Sequence, residues 1–184
     1  MPEPLFDPSH AVTFDLAHGL VHLEDAPSRV LVPADALAAL AAVASPDARA
    51  AFASALGKPL GARAARRLGD TRGATVEQVV DHLGGELALA GLGSLSLERW
   101  GRALLIVVDH CPLPSAEDVL SGVLAAALGA ATGRDVRCVR LMRDATRARF
   151  LVASAASEQK ARALLGEGTT WGDVLVKLHE GAAS

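Results

Sequence analysis

The chain contains no tyrosine and no asparagine, and aromatic residues make up only 3% of its 184 positions. Its core must rest on leucine, valine and alanine, and recognition by aromatic stacking has few groups to work with. Basic residues form no run, and the net charge is −3. Lacking a basic stripe and an aromatic platform, the chain is not expected to bind nucleic acid. Only two cysteines occur, Cys111 and Cys138, neither at CxxC spacing. A disulfide framework is not expected, and buried free thiols are. The longest apolar runs, such as Ala103 to Val108, are too short to span a bilayer. The start, Met1-Pro2-Glu3-Pro4, lacks the charged and apolar regions of a secretory signal. A cytoplasmic protein with no integral membrane segment follows as the expectation.

What is present is a globular composition, 51% apolar and 21% charged, of a length that suits one domain. Roughly a fifth of the residues are alanine, and arginine far outnumbers lysine, as in the coding bias of a high-GC bacterium. The physical consequence is helices filled with small side chains.

Periodicity orders the chain. Residues 1 to about 10, with Pro2, Pro4 and Pro8, read as a loose tail. Val12 to Leu16 and Leu20 to Leu23 alternate around Ala17-His18-Gly19, which predicts a small hairpin, and Arg29 to Val32 reads as a third extended piece. Pro33 opens a helix to Ala44, with Leu37, Leu40 and Val43 at helical spacing. Ser45-Pro46-Asp47 restarts the helix, with serine as cap and proline at its first position. Lys58-Pro59 should kink or break it, because proline donates no N–H. Leu60 to Leu68 continues to Gly69, with Arg63, Arg66 and Arg67 on a solvated face.

Thr75 caps a long helix to about Ala90, with an apolar stripe of Val76, Val79, Val80, Leu83, Leu87 and Ala90. Gly84 and Gly85 interrupt it at a cost of up to about 1 kcal/mol each, which close approach of another backbone would offset. Ser94 to Trp100 alternates as a half-buried strand, and Ala103 to Val108 is continuously apolar as a central strand. Ser115 caps a helix to about Ala131, with Glu117 and Asp118 complementing its dipole and Val119, Val123, Leu124, Ala127 and Leu128 facing inward. Asp135 to Met142 and Arg147 to Ala153 form a second hairpin. Two short helices follow, Ser157 to Leu165 and Trp171 to Leu178, with Trp171 stapling the last onto the body.

The landmarks from Phe52 to Val152 carry a resemblance. They are Leu56-Gly57-Lys58-Pro59-Leu60-Gly61 with Ala64-Ala65, then Leu83-Gly84-Gly85, then Gly91-Leu92-Gly93. Leu105 to Cys111 and Ser121-Gly122 through Thr132-Gly133-Arg134-Asp135-Val136 complete the order. In this order the stretch resembles the 4-vinyl reductase domain family, which shares its fold with the Bet-type subunits of eukaryotic transport particles. The resemblance implies a domain that holds a small apolar ligand between helices and sheet, or that assembles through helix faces. Sensory members of the family bind zinc through a Glu-x-x-Cys…Cys-x-Phe pattern. Registered on Phe150, those ligand places fall on Arg137, Arg140 and Ala148, none of which supplies a thiolate or carboxylate. Where aromatic sensors often carry tryptophan between the sheet-opening glycines, this chain has Leu92. The resemblance therefore implies neither zinc nor phenol-type pocket chemistry here.

Reactive groups are sparse. His18 and His22, four apart, are too few for a metal site without a third ligand. Asp109-His110-Cys111 is the densest cluster, yet adjacent strand residues point to opposite faces, so His110 and Cys111 do not easily meet. Glu77 and Asp81 at like-charge spacing suit a solvated face on the helix that also carries His82 and Glu86. No phosphate loop, nucleophile elbow or HExxH occurs, and Gly91-Leu92-Gly93 leads into a strand rather than a helix.

The expected fold is α+β: an antiparallel sheet of about four strands packed on helices. A tail and hairpin over 1–33 and C-terminal helices over 154–184 flank a family-like core over 34–153, all in one domain. The expected function is a non-enzymatic interaction or scaffold module, dimerising through alanine-rich helix faces such as Ala34 to Ala44 and Ser121 to Ala131. The alternative is a sensor or carrier for an apolar ligand, lined by Phe52, Leu56, Leu83, Leu87, Trp100, Leu124 and Phe150. Few polar groups are expected to point inward, so the ligand would be acyl-chain-like rather than phenolic. No catalytic residue, metal ligand or cofactor is expected.

Overall fold

The computed structural model describes residues 11–23, 29–69, 73–113 and 117–180, without the side chains of Glu117 and Asp118. The N-terminal tail, the Ser115 cap and the two first-turn acids fall outside that description. Among the described residues six strands and six helices follow in the order β1 (Val12–Asp15), β2 (Leu20–Leu23), α1 (Ala34–Val43), α2 (Pro46–Leu68), α3 (Val76–Leu89), β3 (Ser94–Trp100), β4 (Ala103–Asp109), α4 (Glu117–Thr132), β5 (Arg137–Arg143), β6 (Arg147–Ala153), α5 (Ala155–Gly166) and α6 (Trp171–Glu180). The fold is α+β, with a two-stranded N-terminal hairpin and a four-stranded antiparallel sheet of order β3-β4-β6-β5. Of the expected third extended piece, Arg29 alone bridges to Val21.

Local chemistry sets the boundaries. Ser45 accepts from the Ala48 N–H at 3.2 Å and Pro46 stands at the first position of α2. Thr75 and Gln78 form a reciprocal capping box at the start of α3. Gly93 (φ +96°) makes the corner into β3, and a Cβ there would run into the Asp109 carbonyl oxygen. Pro59 neither breaks nor divides its helix: α2 is one element of 23 residues with Pro59 inside it. The missing hydrogen bond is outweighed by the packing of α2 along α4.

That packing is unusually close. A Cβ on Gly57 would strike the Val123 carbonyl oxygen, and one on Gly61 would strike that of Ala127. On the facing helix, a Cβ on Gly122 would lie 2.7 Å from the Ala53 Cβ. The close approach expected at Gly84 is not there, since its Cβ would meet Leu95 at an ordinary 3.6 Å. The glycines that matter belong to α2 and α4.

Both faces of the sheet are covered. Ile106 and Val108 of β4, Ala148 and Phe150 of β6 and Cys138 of β5 pack under α2, α3 and α4. Leu105, Leu151, Val139 and Leu141 point the other way, onto Ala161 of α5 and Val174 and Leu175 of α6. The C-terminal helices are thus a second layer, and burial on both sides explains why β4 is continuously apolar.

Equilibrium urea denaturation should separate the two glycine classes. Gly61→Ala is predicted to cost about 2–3 kcal/mol or more by forcing α2 from α4. Gly84→Ala, where a methyl fits, should be neutral or stabilising by up to about 1 kcal/mol.

Candidate functional site

The first apolar layer gathers most of the candidate lining residues. Leu83 and Leu87 from α3, Leu124 from α4 and Phe150 from β6 are all fully buried in one cluster, and Leu56 of α2 is half-buried against it. Two candidates lie elsewhere. Phe52 is 40% exposed on α2. Trp100 is 47% exposed and sits over the other face of the sheet, edge-on to Trp171 at 5.0 Å between ring centroids. It belongs to a polar-aromatic clamp on α6. There Arg149 donates to both carboxylate oxygens of Glu98 at 2.9 and 3.1 Å and stacks over Trp171 at 5.6 Å. The Trp100 indole N–H also reaches Glu98 at 3.2 Å, and the Arg149 bond holds the Glu98 carboxyl below its usual range. The period-two alternation of β3 carries the reason: Leu95 and Leu97 take the helix face, so Trp100 takes the opposite one.

The interior is not free of charge, contrary to the expectation from sequence. Arg63 and Glu86 are both buried in the seam between α2 and α3. The Arg63 Nε donates to Glu86 Oε2 at 2.6 Å, and Arg67 Nη1 stands 3.2 Å from Glu86 Oε1. Arg29 lies close enough to feel repulsion from Arg63 and attraction to Glu86, although burial is the main cause lowering its pKa. Of the three arginines expected in solvent, only Arg66 is exposed. The signal was present in the spacing: Glu86 follows Val79 by seven and Leu83 by three, which places it on the buried stripe. Arg63 sits likewise between Leu60 and Ala64 on the buried side of α2.

The Asp109-His110-Cys111 cluster is a structural corner. Asp109 is held by Arg147 at 2.7 and 3.2 Å. His110 adopts a left-handed φ of 57°, and its N–H donates to the Thr146 carbonyl at 2.7 Å. The Arg143 guanidinium donates to the carbonyls of Leu113 and Cys111 at 3.0 and 3.4 Å. His18 lies in the hairpin turn, 2.8 Å from Asp15, and lowers the Asp15 pKa, while His22 stands opposite Thr13 on β2. Among the described residues no group of three or more His, Cys, Asp or Glu side chains is placed to hold a metal. At the positions registered on the zinc pattern, Arg137 pairs with Asp135 and Glu158, Arg140 has its pKa lowered by burial, and Ala148 is buried. Leu92 fills its place between the glycines as a buried core residue.

A groove of about 860 Å³ opens on the outer side of the α2–α4 crossing. Its floor is alanine, glycine and serine, and its walls carry Lys58, Arg134, Arg137 and Arg162. Among the described residues no helix is long and apolar enough to cross a membrane.

No family model matches the chain, and no curated protein matches it in sequence. Among solved structures it is similar to the phenol-responsive sensory domain of the transcription activator PoxR, determined with phenol. The two align with a TM-score of 0.57 and 12% identity, over 77% of this chain and 84% of that one. The likeness is one of fold.

Two outcomes follow for the site. Burial pushes the Cys138 thiol up to about 12, with Glu158 adding to the shift, whereas Cys111 is half-buried. At neutral pH a chromogenic disulfide reagent should therefore label Cys111 in the folded protein and Cys138 only after unfolding. Glu86→Ala should lose about 3–5 kcal/mol in denaturant titration, because it leaves Arg63 buried and unpaired. Replacing both partners, Arg63→Met with Glu86→Leu, should recover most of that loss.

Proposed function

We propose that the chain is a non-enzymatic sensory or carrier module that takes a small apolar ligand between its α2–α3–α4 layer and its sheet. It is read as a bacterial, cytoplasmic, diverged member of the 4-vinyl reductase family that has lost the zinc ligands. The observation that carries this reading is the arrangement it shares with the phenol-responsive domain of PoxR. The layer in question holds Leu83, Leu87, Leu124 and Phe150, with Leu56 at its edge. Because the first four are fully buried, a ligand enters by displacing side chains rather than by filling a standing cleft. The buried Arg63–Glu86 pair gives the α2–α3 seam a polar margin, so the premise of an interior with few polar groups fails there. A ligand with one polar end and an apolar body suits such a layer.

A second reading, self-association, rests on α1. Its ten residues carry one charge, Asp35, yet none is buried. Leu40 and Val43 are 62% and 83% exposed, and Val30, Leu31 and Val32 just before them are exposed as well. A helix so apolar is ordinarily covered, and a two-fold contact with a second copy would cover it.

Native mass spectrometry and thermal unfolding with octanoate and with phenol test the sensor reading. Saturable binding of either should raise the midpoint by roughly 5–10 °C at a hundredfold excess over Kd. No bound mass and no shift with both compounds contradict it. For self-association, light scattering over a dilution series should show a dimer that Leu40→Glu dissociates, and a monomer at every concentration contradicts that reading.

A further inference from the structure

The groove beside the α2–α4 crossing is charged opposite to the molecule that bears it. Five cations line it, Arg49, Lys58, Arg134, Arg137 and Arg162, against two carboxylates, Asp135 and Glu158. Three positive charges are thus left over on a chain whose net charge is −3. Both carboxylates are already engaged: Asp135 pairs with Arg137 at 3.4 Å, and Glu158 holds Arg162 at 3.0 Å and lies 3.9 Å from Arg137. Arg49 is turned to the end of α1, donating to the carbonyls of Ala44 and Ala41 at 2.8 and 3.3 Å. Lys58 and Arg134 are exposed and have no acidic partner among the described residues.

Between these charges α2 and α4 present small side chains, among them Ala50, Ser54, Ala125 and Gly129, and β5 borders the groove through Arg137 and Cys138. We infer that this groove is a docking site for an acidic amphipathic helix of a partner protein. A floor of alanine, serine and glycine lets a third helix approach closely, as the glycines already let α2 approach α4. The helices of the groove keep their main-chain hydrogen bonds to themselves, and the edge strand β5 reaches the groove only at Arg137 and Cys138, too short a stretch for an extended peptide to pair along. A nucleic acid would want aromatic side chains to stack on, and none lines the groove. A helix with glutamates or aspartates flanking a small apolar stripe meets Lys58 and Arg134 with its acids and the floor with its stripe. This surface lies outside the apolar layer, and the inference stands whether or not that layer takes a ligand.

The test uses the full chain. A display library of helices of about 18 residues, or five turns, is built with a small-residue stripe and flanks drawn equally from glutamate and lysine. It is selected against the unaltered protein alone, and the winners are then measured against the double variant Lys58→Glu/Arg134→Glu. Selected helices are expected to be glutamate-rich. They should lose at least about tenfold in affinity for the double variant and for Ala130→Trp, which fills one end of the groove. Both variants change exposed positions, and unaltered circular dichroism and urea midpoints confirm that they fold. Selection without charge preference, lysine-rich winners, or binding that survives both variants overturns the inference. So does displacement of the selected helix by a short single-stranded oligonucleotide at lower concentration, which gives the groove to a nucleic acid.

Discussion

The close crossing of α2 and α4 organises both the apolar core and the surface groove. Gly57 and Gly61 bring the backbone of α2 against the carbonyls of Val123 and Ala127, and Gly122 admits Ala53 from the other side. With the two backbones this near, the inward side chains of both helices reach the same apolar layer, where Leu60, Val123, Leu124 and Ala127 are all buried. The same proximity sustains α2 across Pro59, and it leaves small residues on the outer side, where the basic groove opens. Core and groove are the inner and outer consequences of one contact.

The sheet beneath divides the molecule electrostatically as well as sterically. The face under α2, α3 and α4 is mainly apolar, with Arg140 of β5 beside Phe150 at its edge and the Arg63–Glu86 pair in the helix seam above it, whereas the face under α5 and α6 carries the Glu98–Arg149 clamp with Trp100 and Trp171. Glu98 is hydrogen-bonded by Arg149 and so titrates lower than usual in the folded chain. The stability it contributes is present above the unfolded carboxylate pKa and is lost as pH falls through the lowered value. The clamp pins α6 to the sheet through tryptophan and arginine, and His179 adds a contact by accepting from the Arg102 N–H at 3.2 Å. The aromatic residues of this aromatic-poor chain are spent partly on this attachment.

Much of the fold was legible in the residues. The bounds of β3 and β6 and the starts of α2 and α6 follow from alternation, from Ser45-Pro46 and from helical spacing, because local geometry sets them. What escaped was tertiary. Pro59 reads as a breaker until the packing of its helix is known. Gly84 and Gly57 look alike in sequence, and only the neighbour across the contact tells a tolerated glycine from a required one. Trp100 reads as part of the ligand layer until the C-terminal helices are seen to cover the second face of the sheet, onto which it points. Arg63 reads as one of three arginines on a solvated face and Glu86 only as a member of its helix, although both sit at buried positions of their stripes. A buried pair is found only when its two halves, 23 residues apart, are known to face each other.

We propose the layer under α2, α3 and α4, and not the one under α5 and α6, as the compartment for a small apolar molecule. Methyl-resolved NMR during an octanoate titration tests it most directly. Saturable shifts at Leu83, Leu87 and Leu124, with Leu105, Leu151 and Val174 unmoved, are the predicted result. Saturable shifts confined to the second set, or none in either, would rule that compartment out.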